Sequence, residues 1–437
     1  YWGGYIPTGD NSNIDPSTIQ YPAGIYTQTT LQSTGNAGNI SITTPHLVVR
    51  EGGAIAATTF GQGNSGSVSV QAPNGRIDVQ GGKIQSGVGA AQSRGSSGSV
   101  RLNTRSLTVT NGGIIQTQTL GQGTAGAIEI NADTVNLAGV GSTIRSGSGD
   151  AQIQNREAGT GGDIRLTVRS LNVSDFATLS AETFTNAKGG TIFVTGSTVN
   201  AQSSGQLRTT TFGNGQAGDI VLALSDRLFL SDPGTGLFAN TDVGSTGNGG
   251  SITMALPSVL IQNQAGIAVD SRSSGTGGSI QIQTNDLTLT SRGYITAETV
   301  GSGNAGTIEI QANQTRLSGA GTAIRSGSGN EQTPNQQAGA GGDIRLNANT
   351  LYVSDGASLS AQTFSRSRGG NVLITGDTMI AESQGQVRTT TFGAGQAGNI
   401  VITLGDRLLL SDPGTGLFAD TEIGSTGNGG SIFIDPP

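Results

Sequence analysis

The sequence predicts an all-β chain, a right-handed parallel β-helix (a solenoid) of about 14 coils, each of 28–36 residues and three strands. Three observations predict it. Residues 206–254 and 386–434 agree at 37 of 49 positions, 180 residues apart, and the register holds upstream, where IRSGSGDAQ from 144 returns as IRSGSGNEQ from 324 and AGTGGDIRL from 158 as AGAGGDIRL from 338. Inside this long repeat a shorter tag, Gly-x-Ile/Val-x-apolar, recurs fourteen times from Gly38 to Gly430 at spacings of 28, 32 or 36 residues. Such spacings describe one fixed unit with insertions tolerated at a particular corner, which is the signature of a solenoid. Within each unit the apolar residues alternate with polar ones at period 2, the strand signature, and no stretch keeps a helical period.

Residues 1–18 read as an N-terminal extension or cap. The first thirty residues hold the only Trp (Trp2) and four of the six Tyr, namely Tyr1, Tyr5, Tyr21 and Tyr26. These aromatics suit either a carbohydrate platform or a plug over an open solenoid end, whose unpaired strand edges need a cap or a partner. Regular coils are expected over 19–437, because AGIYTQTTLQSTGNAG at 23–38 parallels TGLFADTEIGSTGNGG at 415–430.

From Gly38 onward each unit reads as three short strands and three corners. In the unit that starts at Gly126, Ile128 and Ile130, then Val135 and Leu137, then Ile144 are expected to point inward. Gly and Asn mark the corners, where positive φ is cheap for Gly and tolerable for Asn. Stacking at about 4.8 Å per coil gives a rod of about 60–65 Å, and parallel crossovers favour the right hand.

The third strand is the most regular. If Ile55, Ile115, Leu179, Leu207, Ile295, Leu359 and Val387 point inward, period 2 also turns Thr59, Thr119, Thr183, Thr211, Thr299, Thr363 and Thr391 inward. Stacked Thr can hydrogen-bond up the column while their methyl groups pack. Phe60, Phe184, Phe212, Phe364 and Phe392 then form an aromatic column at the corner.

Composition bounds the function. With 73 Gly, 33% hydrophobic and 12% charged residues, composition alone suggests disorder. Periodicity overrules it. No Cys is present, so no disulfide is used and no redox compartment is indicated. A thinly spread net charge of −7 argues against nucleic acid, which needs a basic face. No apolar run of about 20 residues is present, so no segment is expected to span a membrane. The chain shows no signal peptide and no initiator Met, which reads as a mature or trimmed product or a segment of something longer.

The chemistry-bearing residues favour bland readings. Acidic residues recur as equivalents (Asp163 and Asp343, Asp232 and Asp412, Glu129 and Glu309), six coils or roughly 29 Å apart, which does not build one active site. Catalysis is not expected, nor a cofactor, nor a metal. His46, the only histidine, reads as surface, although sequence alone leaves a Ser-His-Asp set open. GNGQAG at 213 resembles a nucleotide loop but precedes a strand, so no helix N-terminus awaits a phosphate. SDPGTG at 231 and 411 reads as a tight turn and not a Ca²⁺ loop, since the nonapeptide pattern is absent. The Thr strings do not make an ice-binding array, because the outward positions carry Thr58, Gln118, Glu182, Arg208, Glu298, Gln362 and Arg388.

The strings GNGGSI, GQGNSGSVSV, LTVTNGGIIQTQTLGQGTAGAIEI and LLLSDPGTGLF resemble the large filamentous-haemagglutinin-type exoproteins of two-partner secretion, especially the cyanobacterial kind, over residues 31–437. The family's NPNL and NPNGI secretion motifs are missing. The resemblance implies an exported β-helix displayed or released as a fibre, with roles in adhesion, aggregation and biofilm formation. The expectation is therefore a secreted or cell-surface structural fibre, its copies joined head to tail through Tyr1, Trp2, Tyr5, Ile432, Phe433 and Ile434. The alternative is an adhesin that contacts surface glycans through the long corners 145–161 and 325–341.

Overall fold

The structure, a computed structural model, describes residues 22–150, 157–329 and 336–435. They form an all-β solenoid of about 14 turns of parallel strands, and no helix occurs among the described residues. The expected extension 1–18, with Tyr1, Trp2 and Tyr5, lies outside them. So do parts of both long corners, 151–156 and 330–335. The chain divides into two units, Tyr1–Thr191 and Ile192–Pro437.

In the first unit, Gly24–Thr29 is already in register with Ala54–Thr59, and Ala54–Thr59 with Lys83–Val88. The turn from Gly126 shows the pattern. Ile128, Ile130, Ala132, Val135, Leu137 and Ile144 are buried, while Asn131 between them faces solvent. Two of the three expected strands run on as one, Ile128–Ala138, followed by the short strand Thr143–Ser148. The same fusion gives Val100–Thr110 and Ile164–Ser174. They separate where Pro45 interrupts the pair Ile40–Thr43 and His46–Arg50, because proline has no N–H for the ladder.

The second unit repeats the plan. Long strands such as Ile308–Ser318 and Ile344–Ser354 pair in register over ten positions, Ile308↔Ile344 through Ser318↔Ser354. Short strands stack from Gln206–Arg208 to Gly416–Phe418. Pro257 splits Ile252–Ala255 from Ser258–Gln262, and its carbonyl accepts the N–H groups of both Asn285 and Asp286 in the next turn.

The tag glycines have a different cause from the one expected. None of them has positive φ; that conformation falls at other corners, such as Asn111–Gly112. Instead, a Cβ added to Gly66, Gly126, Gly278, Gly306, Gly342 or Gly398 would come closer than 3.0 Å to the carbonyl oxygen of the tag glycine one turn earlier. Each tag is therefore a backbone-on-backbone contact that no side chain permits. The residue after it adds a second tie. Oδ1 of Asp343 accepts the N–H of Asn371, Asn371 that of Asn399, and Asn399 that of Ser431, each at 2.9 Å.

The inward threonines lie where expected, with Thr59, Thr119, Thr183, Thr211, Thr299, Thr363 and Thr391 fully buried. Their bonding differs from the expected column. Thr29 and Thr59 do bond across turns at 2.7 Å, but Thr211 donates to the carbonyl of Gly215 at 2.6 Å, Thr299 to Gly303 at 2.7 Å and Thr391 to Gly395 at 2.8 Å. The corner leaves a buried carbonyl without a ladder partner, and the hydroxyl four residues earlier satisfies it. The aromatic column is interrupted. Phe364 and Phe392 stack at 4.3 Å, whereas the same position in intervening turns is Gly89, Gly149, Arg272 or Val300.

Candidate functional site

Three surfaces carry the features from which a function can be built. The first is the last described turn. Its strand Ile432–Asp435 pairs with the preceding turn through Ile400↔Ile432, Val401↔Phe433, Ile402↔Ile434 and Thr403↔Asp435. Ile432, Phe433 and Ile434 are 40%, 56% and 46% exposed, while Ile400 and Ile402, one turn back, are fully buried. Of the six expected interface residues, these three form one exposed strand edge.

The second surface is the outward face of the short strands. In the second unit it gathers Asp270, Thr296, Glu298 and Arg325 from consecutive turns. Asp270 accepts from Thr296 Oγ1 at 3.2 Å and from the backbone N–H of Glu298 at 2.9 Å; Arg325 Nε donates to Glu298 Oε1 at 3.2 Å. Burial pushes the carboxyls of Asp270 and Glu298 above the usual range. Asp270 raises Glu298 further, while Arg325 opposes the shift. Burial, with the charge of Asp270 beside it, also raises the Tyr294 hydroxyl.

In the equivalent place of the first unit amides stand where Thr296 and Glu298 stand in the second. Arg145 Nε donates to Gln116 Oε1 and its Nη2 to Gln118 Oε1, both at 2.9 Å, and Gln116 passes a bond to Gln85 at 2.9 Å. Burial lowers the Arg145 pKa, with Asp150 and Glu182 opposing. One scaffold position thus holds an arginine by amides in one unit and by a carboxylate in the other. The sequence reading passed over Asp270 and Glu298 as a pair because it weighed acids that recur every 180 residues. These two sit 28 apart, and their counterparts are Ala90 and Gln118. That break in the repeat was the available signal.

The third surface is a set of shallow grooves on the outer side of the long strands. One, of about 550 Å³, crosses the turns of Gln283, Gln311 and Asn347, which are in register with one another.

Comparison with family models, with curated proteins and with solved structures finds no match. Function therefore rests on the geometry of these surfaces.

The remaining candidates take structural places. His46 is exposed at the start of its strand, and its backbone carbonyl accepts the Thr44 hydroxyl at 2.9 Å. Asp232 adopts φ 83° in its Asp-Pro-Gly corner and accepts the N–H of Ser203 at 3.1 Å; Asp412 does the same for Ser383 at 3.1 Å. Asp163 and Asp343 bind backbone on one oxygen and Arg165 or Arg345 on the other. Among the described residues no cluster of three or more His, Cys, Asp or Glu could hold a metal.

Proposed function

We propose that this chain is a non-enzymatic structural element of an exported fibre, in which β-solenoids join end to end at or beyond the cell surface. The observation that carries the reading is the likeness of successive turns, in which tag glycines pack against the tag carbonyl of the turn before and the residue after the tag ties its side-chain oxygen to the next turn. A further parallel turn of the same pattern fits such a stack, because tag carbonyls, and in many turns an Asn, Asp or Ser oxygen after the tag, are already presented to the next turn. The resemblance to filamentous-haemagglutinin-type exoproteins supports the same reading and the extracellular location.

Magnitudes set the expected strength. Burying Ile432 and Ile434 as Ile400 and Ile402 are buried would contribute about 1 kcal/mol each, since full burial of such a side chain is worth about 1.5–3 kcal/mol, while Phe433, on the other face, would be covered only as far as its half-buried counterpart Val401. Association costs about 4–15 kcal/mol, so backbone pairing must supply the rest and assembly should depend on concentration. Negative-stain microscopy with light scattering, at rising concentration, tests this. Rods in multiples of one length are expected, lost in Phe433→Glu with unchanged circular dichroism. Monodisperse single chains at every concentration would overturn the proposal.

A further inference from the structure

We propose that the second unit carries a binding groove for a neutral polysaccharide, running along the solenoid over Gln283, Gln311 and Asn347. Four observations lead there.

The groove, of about 550 Å³, is lined without a single charged side chain. Its polar groups are almost all carboxamides, and Gln283, Gln311, Asn347 and Asn349 are all exposed. These four side chains have no hydrogen-bond partner among the described residues, whereas Asn313 in the same lining donates to Asn285 at 3.4 Å. Elsewhere such amides pair turn to turn, as when Asn172 donates to Asn136 at 2.8 Å or Asn103 to Gln71 at 3.1 Å. Finally, the strand register puts Gln283, Gln311 and Asn347 at one position of three consecutive turns, so the amides repeat about every 4.8 Å along the groove.

That spacing and chemistry select the ligand class. A carboxamide offers a donor and an acceptor side by side, which matches the paired hydroxyls of a pyranose. A row of them at the spacing of stacked turns suits a chain of sugars lying parallel to the stack, one residue over each turn. Pro257 and the exposed Ala255, also in the lining, give an apolar edge for the C–H face of a ring. The adjoining groove, of about 290 Å³, shares Gln311 and Asn347 and adds Glu309 and Arg345, whose opposite charges cancel. A phosphate or a uronate finds no net positive field there. The corresponding row in the first unit is Gln71, Asn103, Asn131 and Thr167, in a groove of about 480 Å³ that also holds Arg101, Glu129 and Arg165. There Asn103 is bonded to Gln71, and Arg101 to Glu129 at 2.9 Å, so fewer groups are free to bind.

The site is separate from the end-to-end edge, and either can fail without the other. The test is affinity electrophoresis of the full chain, at a concentration where light scattering shows single chains. The gels hold dextran, barley β-glucan, xyloglucan or galactomannan, with alginate and polygalacturonate as charged comparisons. Retardation by at least one neutral polymer is expected. The apparent Kd should rise tenfold or more in Gln283→Ala/Gln311→Ala/Asn347→Ala, and measurably in Gln311→Glu, which keeps the shape but removes the donor. Because all three positions are solvent-facing, circular dichroism should stay unchanged; if the triple variant unfolds, the single variants give the same reading. No retardation by any neutral polymer, retardation by the anionic polymers alone, or neutral binding unchanged in the variants would overturn the proposal.

Discussion

Replacing Gly306 by alanine tests the reason the tag exists. The added Cβ would meet the carbonyl of Gly278 inside 3.0 Å, with the Cβ of Ala297 only 3.4 Å away on another side. The group in the way is backbone, which has no rotamer to change, so the turn itself must shift. Overpacking costs about 1–3 kcal/mol where side chains can yield, and here the upper end is expected, about 3 kcal/mol. Hydrogen exchange is the suitable assay, because a solenoid opens locally and a single global unfolding energy averages over its turns. The amides of Gly306 and Ile308, which bond Ala297 and Asp343, should exchange about 100-fold faster, since about 1.4 kcal/mol is tenfold. Gly35 is the control: its nearest neighbour is Ser33 Oγ at 3.9 Å, so Gly35→Ala should change local stability by less than about 1 kcal/mol. Exchange around Gly306 within threefold of the unmodified chain would refute the close-contact explanation and return the tag to a conformational one.

Glu298→Gln should be at least as stable as the unmodified chain at pH 7. Burial raises the Glu298 pKa in the fold, so its stabilising contribution is complete below the ordinary carboxylate range and is lost as pH rises through the raised value. Gln118 already holds Arg145 in the equivalent place, so the variant keeps a partner for Arg325. Urea midpoints at pH 4 and pH 7 would contradict this if the variant were the weaker at neutral pH only. Thr391→Val should cost about 1–3 kcal/mol by stranding the Gly395 carbonyl, whereas Thr389→Val should be neutral or stabilising, because the buried Thr389 hydroxyl has no partner; equal losses in chemical denaturation would contradict that assignment. A double-mutant cycle on Phe364 and Phe392, which stack at 4.3 Å with 6° between planes, should return a coupling of about 0.5–1.5 kcal/mol. No measurable coupling would mean that the stack adds nothing beyond burial.

Strand positions and burial were legible because period 2 and the fixed unit length act together. Ile128, Ile130, Val135, Leu137 and Ile144 could each be placed inward from spacing alone, and all are buried. What sequence could not separate was two reasons for glycine. Positive φ and close backbone approach leave the same letter, and only the position of the neighbouring turn distinguishes Gly112 from Gly306. The hydroxyl bonds were legible only in part: Thr29 with Thr59 and Ser148 with Thr183 bond from turn to turn as expected, while others do not. A column of Thr is visible in sequence, but the corner carbonyl competing for each hydroxyl is not. Of the surfaces, Ile432 and Ile434 could be placed on one face of a strand from their period 2, with Phe433 on the other. The groove was not legible, because exposed Gln and Asn look like any solvated position until the register stacks them.

A chain with 33% hydrophobic residues should struggle to bury enough apolar surface to offset its conformational entropy. The fold relieves this by making the backbone its own packing partner. At the tag corner, glycine against glycine fills space that side chains occupy elsewhere, and the next residue ties its oxygen to the turn above. Inside, buried Ser and Thr take positions that a β-sandwich would give to Leu or Val, and most of their hydroxyls are satisfied by corner carbonyls or by one another. The stabilising contacts are therefore local to adjacent turns and nearly identical from turn to turn. Such a fold gains from each added turn and has no preferred length, which is the physical requirement for a fibre. It also lets side chains on the side of the short strands away from the core vary between repeats, as the buried Gln116 and Gln118 do against Thr296 and Glu298, without disturbing the stack.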